Sequence, residues 1–133
     1  MHIKIKQKLL DSARAAETYD GLLYLVGEKN GVLSHMVKLK KTGGCDYVPA
    51  VRSEDLTAAT MKLMNSGYKP KAFLKTEPID EYINYRWKNL HYGTWLKKFP
   101  YMPCISLDSD RRSTRQYNPA TNTYDAVKTL VLK

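Results

Sequence analysis

The sequence predicts an α+β domain built on a mixed β-sheet flanked by two to three helices. Three observations carry this. Several short runs are wholly apolar or alternate with period 2, as strands require. Two stretches, Gln7 to Ala16 and Ser53 to Asn65, instead place their apolar residues at helical spacing. An Asn30-Gly31 step lies between two strand-like runs, a strong hairpin signal. The resulting order is β-α-β-β-β-α-β-(α)-β-β-β, with strands and helices intermixed. At 133 residues the chain suits one domain, spanning 1–133, with a single core.

Taken in order, Met1 to Ile5 reads as a short strand, and Gln7 to Ala16 as a helix whose stripe is Leu9, Leu10, Ala13 and Ala16. Gly21 to Gly27 is nearly all apolar, the mark of a central strand buried on both faces. Val32 to Lys40 returns as its hairpin partner. Asp46 to Val51 is a short strand broken by Pro49. Ser53 reads as the N-cap of the second helix, with Glu54 and Asp55 well placed against its dipole. Gly67 ends that helix, and a buried strand runs from there to Pro78. Part of Ile79 to Pro100 has helical patterning. Met102 to Leu107 and Ser113 to Tyr117 read as strands, Asn118 to Asn122 as a turn, and Ala126 to Leu132 as a closing strand.

The apolar content of 43% and charged content of 26% are those of an ordinary soluble globular protein. No apolar run approaches the roughly 20 residues that cross a bilayer, and Met1 to Lys6 alternates rather than forming a signal peptide. No membrane association and a cytoplasmic location are expected. Cys45 and Cys104 are too few for a disulfide framework or a Cys-based zinc site; Cys104 reads as a small buried hydrophobe. The net charge of +9 and pI of about 9.5 fit a nucleic-acid partner, an acidic protein surface, or simple solubility.

A strand leaving the core at Lys75-Thr76-Glu77-Pro78 presents Lys75 and Glu77 on one face. With Glu17 placed just ahead of the Gly21-Leu22-Leu23 strand, a following hairpin, and a helix ending Gly67-Tyr68, this order resembles the JAB/MPN (JAMM) metalloprotease-like family. The resemblance covers nearly the whole chain as order and spacing. It implies cytidine-deaminase-like layering and relatives that act as metal-dependent isopeptidases. In that family a glutamate activates a zinc-bound water, His-x-His-Pro supplies two ligands, and Ser-x-x-Asp supplies a hydroxyl and a third ligand. Here Glu17 matches the glutamate and Pro78 the proline. Lys75 and Glu77 occupy the histidine positions, and Tyr85 and Lys88 those of the serine and aspartate. Zinc needs three deprotonated ligands around an open position, and a protonated lysine offers no lone pair. The resemblance therefore implies a domain without zinc, in which Lys75 replaces the metal as the local positive charge and pairs with Glu77 and Glu17.

Two further groupings carry chemistry. A rebuilt metal site would draw on Glu17, Glu77, Asp80, Glu81 and His91, although carboxylates also gather at strand ends for solvation alone. The segment Tyr82 to Phe99 interleaves aromatics with cations: Arg86, Trp87, Lys88, Tyr92, Trp95, Lys97 and Lys98. That composition suits base stacking with phosphate contacts; it equally suits core aromatics beneath a solvated cationic face. Arg111, Arg112 and Arg115 form a second basic group, and His2 and His35 read as surface histidines. No Gly-x-Ser-x-Gly, P-loop, dinucleotide fingerprint or Cys-His zinc pattern occurs. The expected function is a catalytically degenerate JAB/MPN-like module that binds a protein partner without a cofactor. The alternatives are nucleic-acid binding through residues 82–99, or a hydrolase with a rebuilt metal site.

Overall fold

The computed structural model describes residues 2–16, 22–39, 51–76, 99–100, 102–107 and 112–133. Its strands are β1 (His2–Lys6), β2 (Leu22–Lys29), β3 (Val32–Lys38), β4 (Lys69–Thr76), β5 (Cys104–Leu107), β6 (Arg112–Asn118), β7 (Thr123–Ala126) and β8 (Lys128–Leu132). The helices are α1 (Gln7–Ala15) and α2 (Ser53–Asn65). All eight strands join one sheet in the order β7-β6-β5-β4-β2-β3-β1-β8. The sheet is mixed: β1 is parallel to β3 and β8, and β4 to β5, while the remaining pairs are antiparallel.

This corrects the expected architecture of a sheet flanked by two to three helices with deaminase-like layering. The described residues are mostly sheet, and the sheet curls into a nearly closed barrel with two helices among them. The physical reason lies near the C-terminus. β7 and β8 stand at opposite ends of the ladder, yet only Val127 separates them. One residue advances the chain by less than about 4 Å, so the two ends of the sheet must lie side by side. Val127 donates its N–H to the Thr114 carbonyl at 2.9 Å, and the Thr114 and Thr129 hydroxyls meet at 2.7 Å. The closing strand expected over Ala126 to Leu132 is β8, which pairs with β1, preceded at Ala126 by the last residue of β7, a further strand that pairs with β6. The helix anticipated within Ile79 to Pro100, and most of the strand from Asp46 to Val51, lie outside the described residues.

The central strand and hairpin follow the sequence. Asn30 (φ 55°) and Gly31 (φ 80°) both adopt the left-handed conformation that a two-residue I′ hairpin requires. β2 is buried on both faces, between β3 and β4. Its Leu22, Tyr24 and Val26 join Ile5, Leu74, Ile105 and Leu107 on the inner face, where α1 seats Leu9, Leu10 and Ala13. Its Leu23 and Leu25 join Phe73 and Cys104 on the outer face, beneath Ala59 and Leu63 of α2. Cys104 is buried, as a small hydrophobe should be.

α2 begins one residue earlier than its sequence signal. Arg52 is the N-cap and makes no side-chain cap bond, while Ser53 is already helical. The Arg52 backbone carbonyl receives the N–H groups of both Asp55 and Leu56 at 3.0 Å. The other end closes as a Schellman motif around Gly67 (φ 87°): Tyr68 N–H reaches the Leu63 carbonyl at 2.9 Å and Gly67 N–H the Met64 carbonyl at 3.0 Å.

Inside the barrel, burial pushes the Tyr24 phenol above its usual 10.0. The folded state therefore holds this proton more tightly than the unfolded chain does. The associated stability is full below pH 10.0 and is lost as pH rises from there through the folded-state value. Tyr24→Phe is expected to make the alkaline fall in urea midpoint shallower than in wild type. An unchanged slope above pH 10.0 would show that this phenol ionises freely.

Candidate functional site

The end of β4 is the candidate site. Ala72, Phe73, Leu74, Lys75 and Thr76 are all buried, because β4 lies between β2 and β5 in the middle of the ladder. Alternation sends Ala72 and Leu74 to the inner face and Phe73 to the outer one. Thr76 is 0% exposed, and its hydroxyl accepts the N–H of Leu22 at 2.9 Å. That bond fixes the last residue of β4 to the first residue of β2. Whatever follows Thr76 leaves from a rigid point.

Lys75 is 2% exposed. Its register partners are Leu23 on β2 and Ser106 on β5, and the Ser106 residue is itself buried. Both Lys75 and Ser106 have interaction partners, as buried polar groups must if the fold is to tolerate them. Chemically, the position offers a flexible cation with three donors and no acceptor. It can hold a carboxylate, a carbonyl or a hydroxyl; while protonated it cannot ligate a metal.

Of the residues singled out in the sequence, only Lys75 among the degenerate catalytic positions is described. Glu17, Glu77, Tyr85 and Lys88 lie outside the described residues. So do Asp80, Glu81 and His91 of the rebuilt metal site, the basic aromatic residues Arg86, Trp87, Tyr92, Trp95, Lys97 and Lys98, and both Cys45 and Arg111. Among the described residues no group of three His, Cys, Asp or Glu side chains is placed to hold a metal ion.

Arg112 and Arg115 are both exposed on β6; Arg115 donates to the Tyr124 carbonyl at 3.3 Å. His2 is exposed. His35 is only half-buried surface, since its ring stacks on Tyr68 at 5.0 Å and Lys29 Nζ lies 5.7 Å from the same Tyr68 ring. The sequence reading passed over Ser106. Its one signal is a hydroxyl in the otherwise apolar Cys104-Ile105-Ser106-Leu107 run.

No family profile matches the chain, and no curated protein matches it in sequence. Among solved structures the fold is similar to the solution structure of protein DSY2949 from Desulfitobacterium hafniense. The TM-score is 0.68 at 8% identity, covering 98% of this chain and 93% of that one. The chain is also similar to AF2198, a JAB1/MPN domain protein from Archaeoglobus fulgidus. There the TM-score is 0.49 at 13% identity, over 96% of this chain and 99% of that one, a likeness too loose to bear on chemistry. What these likenesses establish is a fold shared with DSY2949.

Proposed function

We propose that this chain is a JAB/MPN-like domain that has lost its metal chemistry and acts by binding a protein partner. One observation carries the reading. Lys75, at the position where the resembling family places its first ligand, is a buried lysine rather than a histidine. A buried ammonium repels a divalent cation and brings its own demand for a partner. The carboxylates at positions 17 and 77 are the acceptors the resemblance offers it. Tyr85 and Lys88, where a serine and an aspartate belong, point the same way. The partner-binding role rests on analogy with relatives that hold peptide tails.

Metal content tests this directly. Protein purified without a histidine tag and dialysed against zinc is expected to retain far less than one zinc per chain by elemental analysis. One tightly held zinc per chain, lost in Glu17→Gln or Glu77→Gln, would replace this reading with the hydrolase. A second arm follows Trp87 and Trp95 fluorescence against a mixed-sequence oligonucleotide at physiological salt, where no change is expected. Binding that weakens steeply as salt is raised would establish nucleic-acid recognition instead.

A further inference from the structure

β1 and β8 pair in parallel at one end of the ladder. Their register sets His2 beside Lys128, Lys4 beside Leu130 and Lys6 beside Leu132. Successive side chains on a strand point to opposite faces. Ile3, Ile5 and Val131 belong to or pack against the inner core. The intervening residues therefore face outward, and His2, Lys4, Lys6, Lys128, Leu130 and Leu132 are all exposed.

The outcome is a strip two strands wide and, at about 3.3 Å per residue, about 13 Å long. Its two columns differ in chemistry. The β1 column is His2, Lys4 and Lys6; the β8 column begins with Lys128 and continues with Leu130 and Leu132. Neither strand contains an acidic residue, and the whole chain carries a net charge of +9. An anionic partner is attracted both by the strip and by the field around it.

The leucines select among anionic partners. Phosphates would meet the lysines but leave the leucines facing charge. A bilayer calls for apolar side chains that project, whereas Leu130 and Leu132 are only 37% and 38% exposed. A second copy docked strip against strip would oppose lysines with lysines, which repel. Lysines near an outermost strand are a common device against such self-pairing. An extended peptide has two columns of its own, its odd and its even side chains, each repeating every two residues like those of the strip.

We propose that the outer face of β1 and β8 binds an extended protein segment in which acidic and apolar residues alternate. Its carboxylates meet Lys4 and Lys6, and its apolar side chains cover Leu130 and Leu132. This gives the partner-binding reading a surface and rests on that reading. Zinc content bears only on the metal half of it, so the two fail separately.

The probe is the peptide acetyl-Glu-Leu-Glu-Leu-Glu-amide, titrated into labelled wild-type protein by NMR. It is expected to shift the amide signals of Lys4, Lys6, Leu130 and Leu132 saturably, with a Kd of about 1 mM, a modest affinity. Two control peptides separate the columns, one with glutamine for glutamate and one with serine for leucine. Each is expected to bind about tenfold more weakly, a loss of about 1.4 kcal/mol. The double variant Lys4→Glu, Lys6→Glu, altered only at exposed positions, is expected to lose a similar factor with its melting curve unchanged. Either control binding as tightly as the acidic peptide, or no saturable shift up to about 10 mM, a concentration well above the expected Kd, would overturn the proposal. So would a mixed-sequence oligonucleotide or phosphatidylserine vesicles perturbing these same signals at lower concentration than the peptide, which would assign the strip to nucleic acid or to a membrane. Because the peptides are compared on the unaltered chain, the test holds even if the double variant does not fold.

Discussion

Gly27→Ala is expected to lower the free energy of unfolding by about 1–3 kcal/mol, the range for overpacking a filled site. A methyl group at this position would stand 2.7 Å from Tyr68 Cβ and 3.0 Å from Leu63 Cδ2. The first contact is with a carbon bonded directly to the backbone, so no side-chain rotation relieves it. The backbone at Tyr68 is itself pinned by its hydrogen bond to the Leu63 carbonyl, and its ring is stacked on His35. On the other side, β2 is held by ladders to both β3 and β4, with register shifts on both sides of the strand at this residue. Those irregularities let the strand pass beneath the end of α2, and only glycine allows the approach. Urea denaturation should show a lower midpoint with an unchanged m-value. A variant within about 0.5 kcal/mol of wild type, the scatter of ordinary surface changes, would mean that α2 seats itself elsewhere.

Gly27 also marks how far the sequence could be read. The apolar run after Gly21, the Asn30-Gly31 hairpin and the buried strand before Pro78 were legible because each is written in local residues. Gly27 looked like the end of the strand; its role is to admit Tyr68, which arrives from a helix far along the chain. Closure of the sheet was illegible for a similar reason. The passage from β7 to β8 occurs at Val127, with no glycine, proline or turn residue to mark it, so Ala126 to Leu132 read as one strand. Ser113 to Tyr117 was legible as a strand, but that its Thr114 and Gln116 are buried inside the barrel while Arg115 is exposed is visible only once β5 is in place. The candidate site was half legible. Lys75 stood out as a cation at the end of a buried strand, whereas its neighbour Ser106 comes from a parallel strand whose register no local pattern sets.

If Lys75 forms the charged pair proposed for it, Lys75→Ala is expected to cost about 3–5 kcal/mol, the range for removing one member of such a buried pair. Two effects contribute: the void left by a long side chain, and the orphaning of the group that Lys75 meets. Lys75→Met separates them, since it keeps most of the volume and removes the charge. If the ammonium stands where a metal ion stood, its charge is what the surroundings are built to meet. Lys75→Met should then retain at least about 1–3 kcal/mol of the loss, the penalty of an unsatisfied buried polar group. A Met variant as stable as wild type, beside an unstable Ala variant, would reduce Lys75 to a space-filling stem. An Ala variant as stable as wild type would remove even that role, and with it the idea that a cation has taken over the site. The comparison needs no partner, substrate or metal, because urea midpoints of the three proteins decide it.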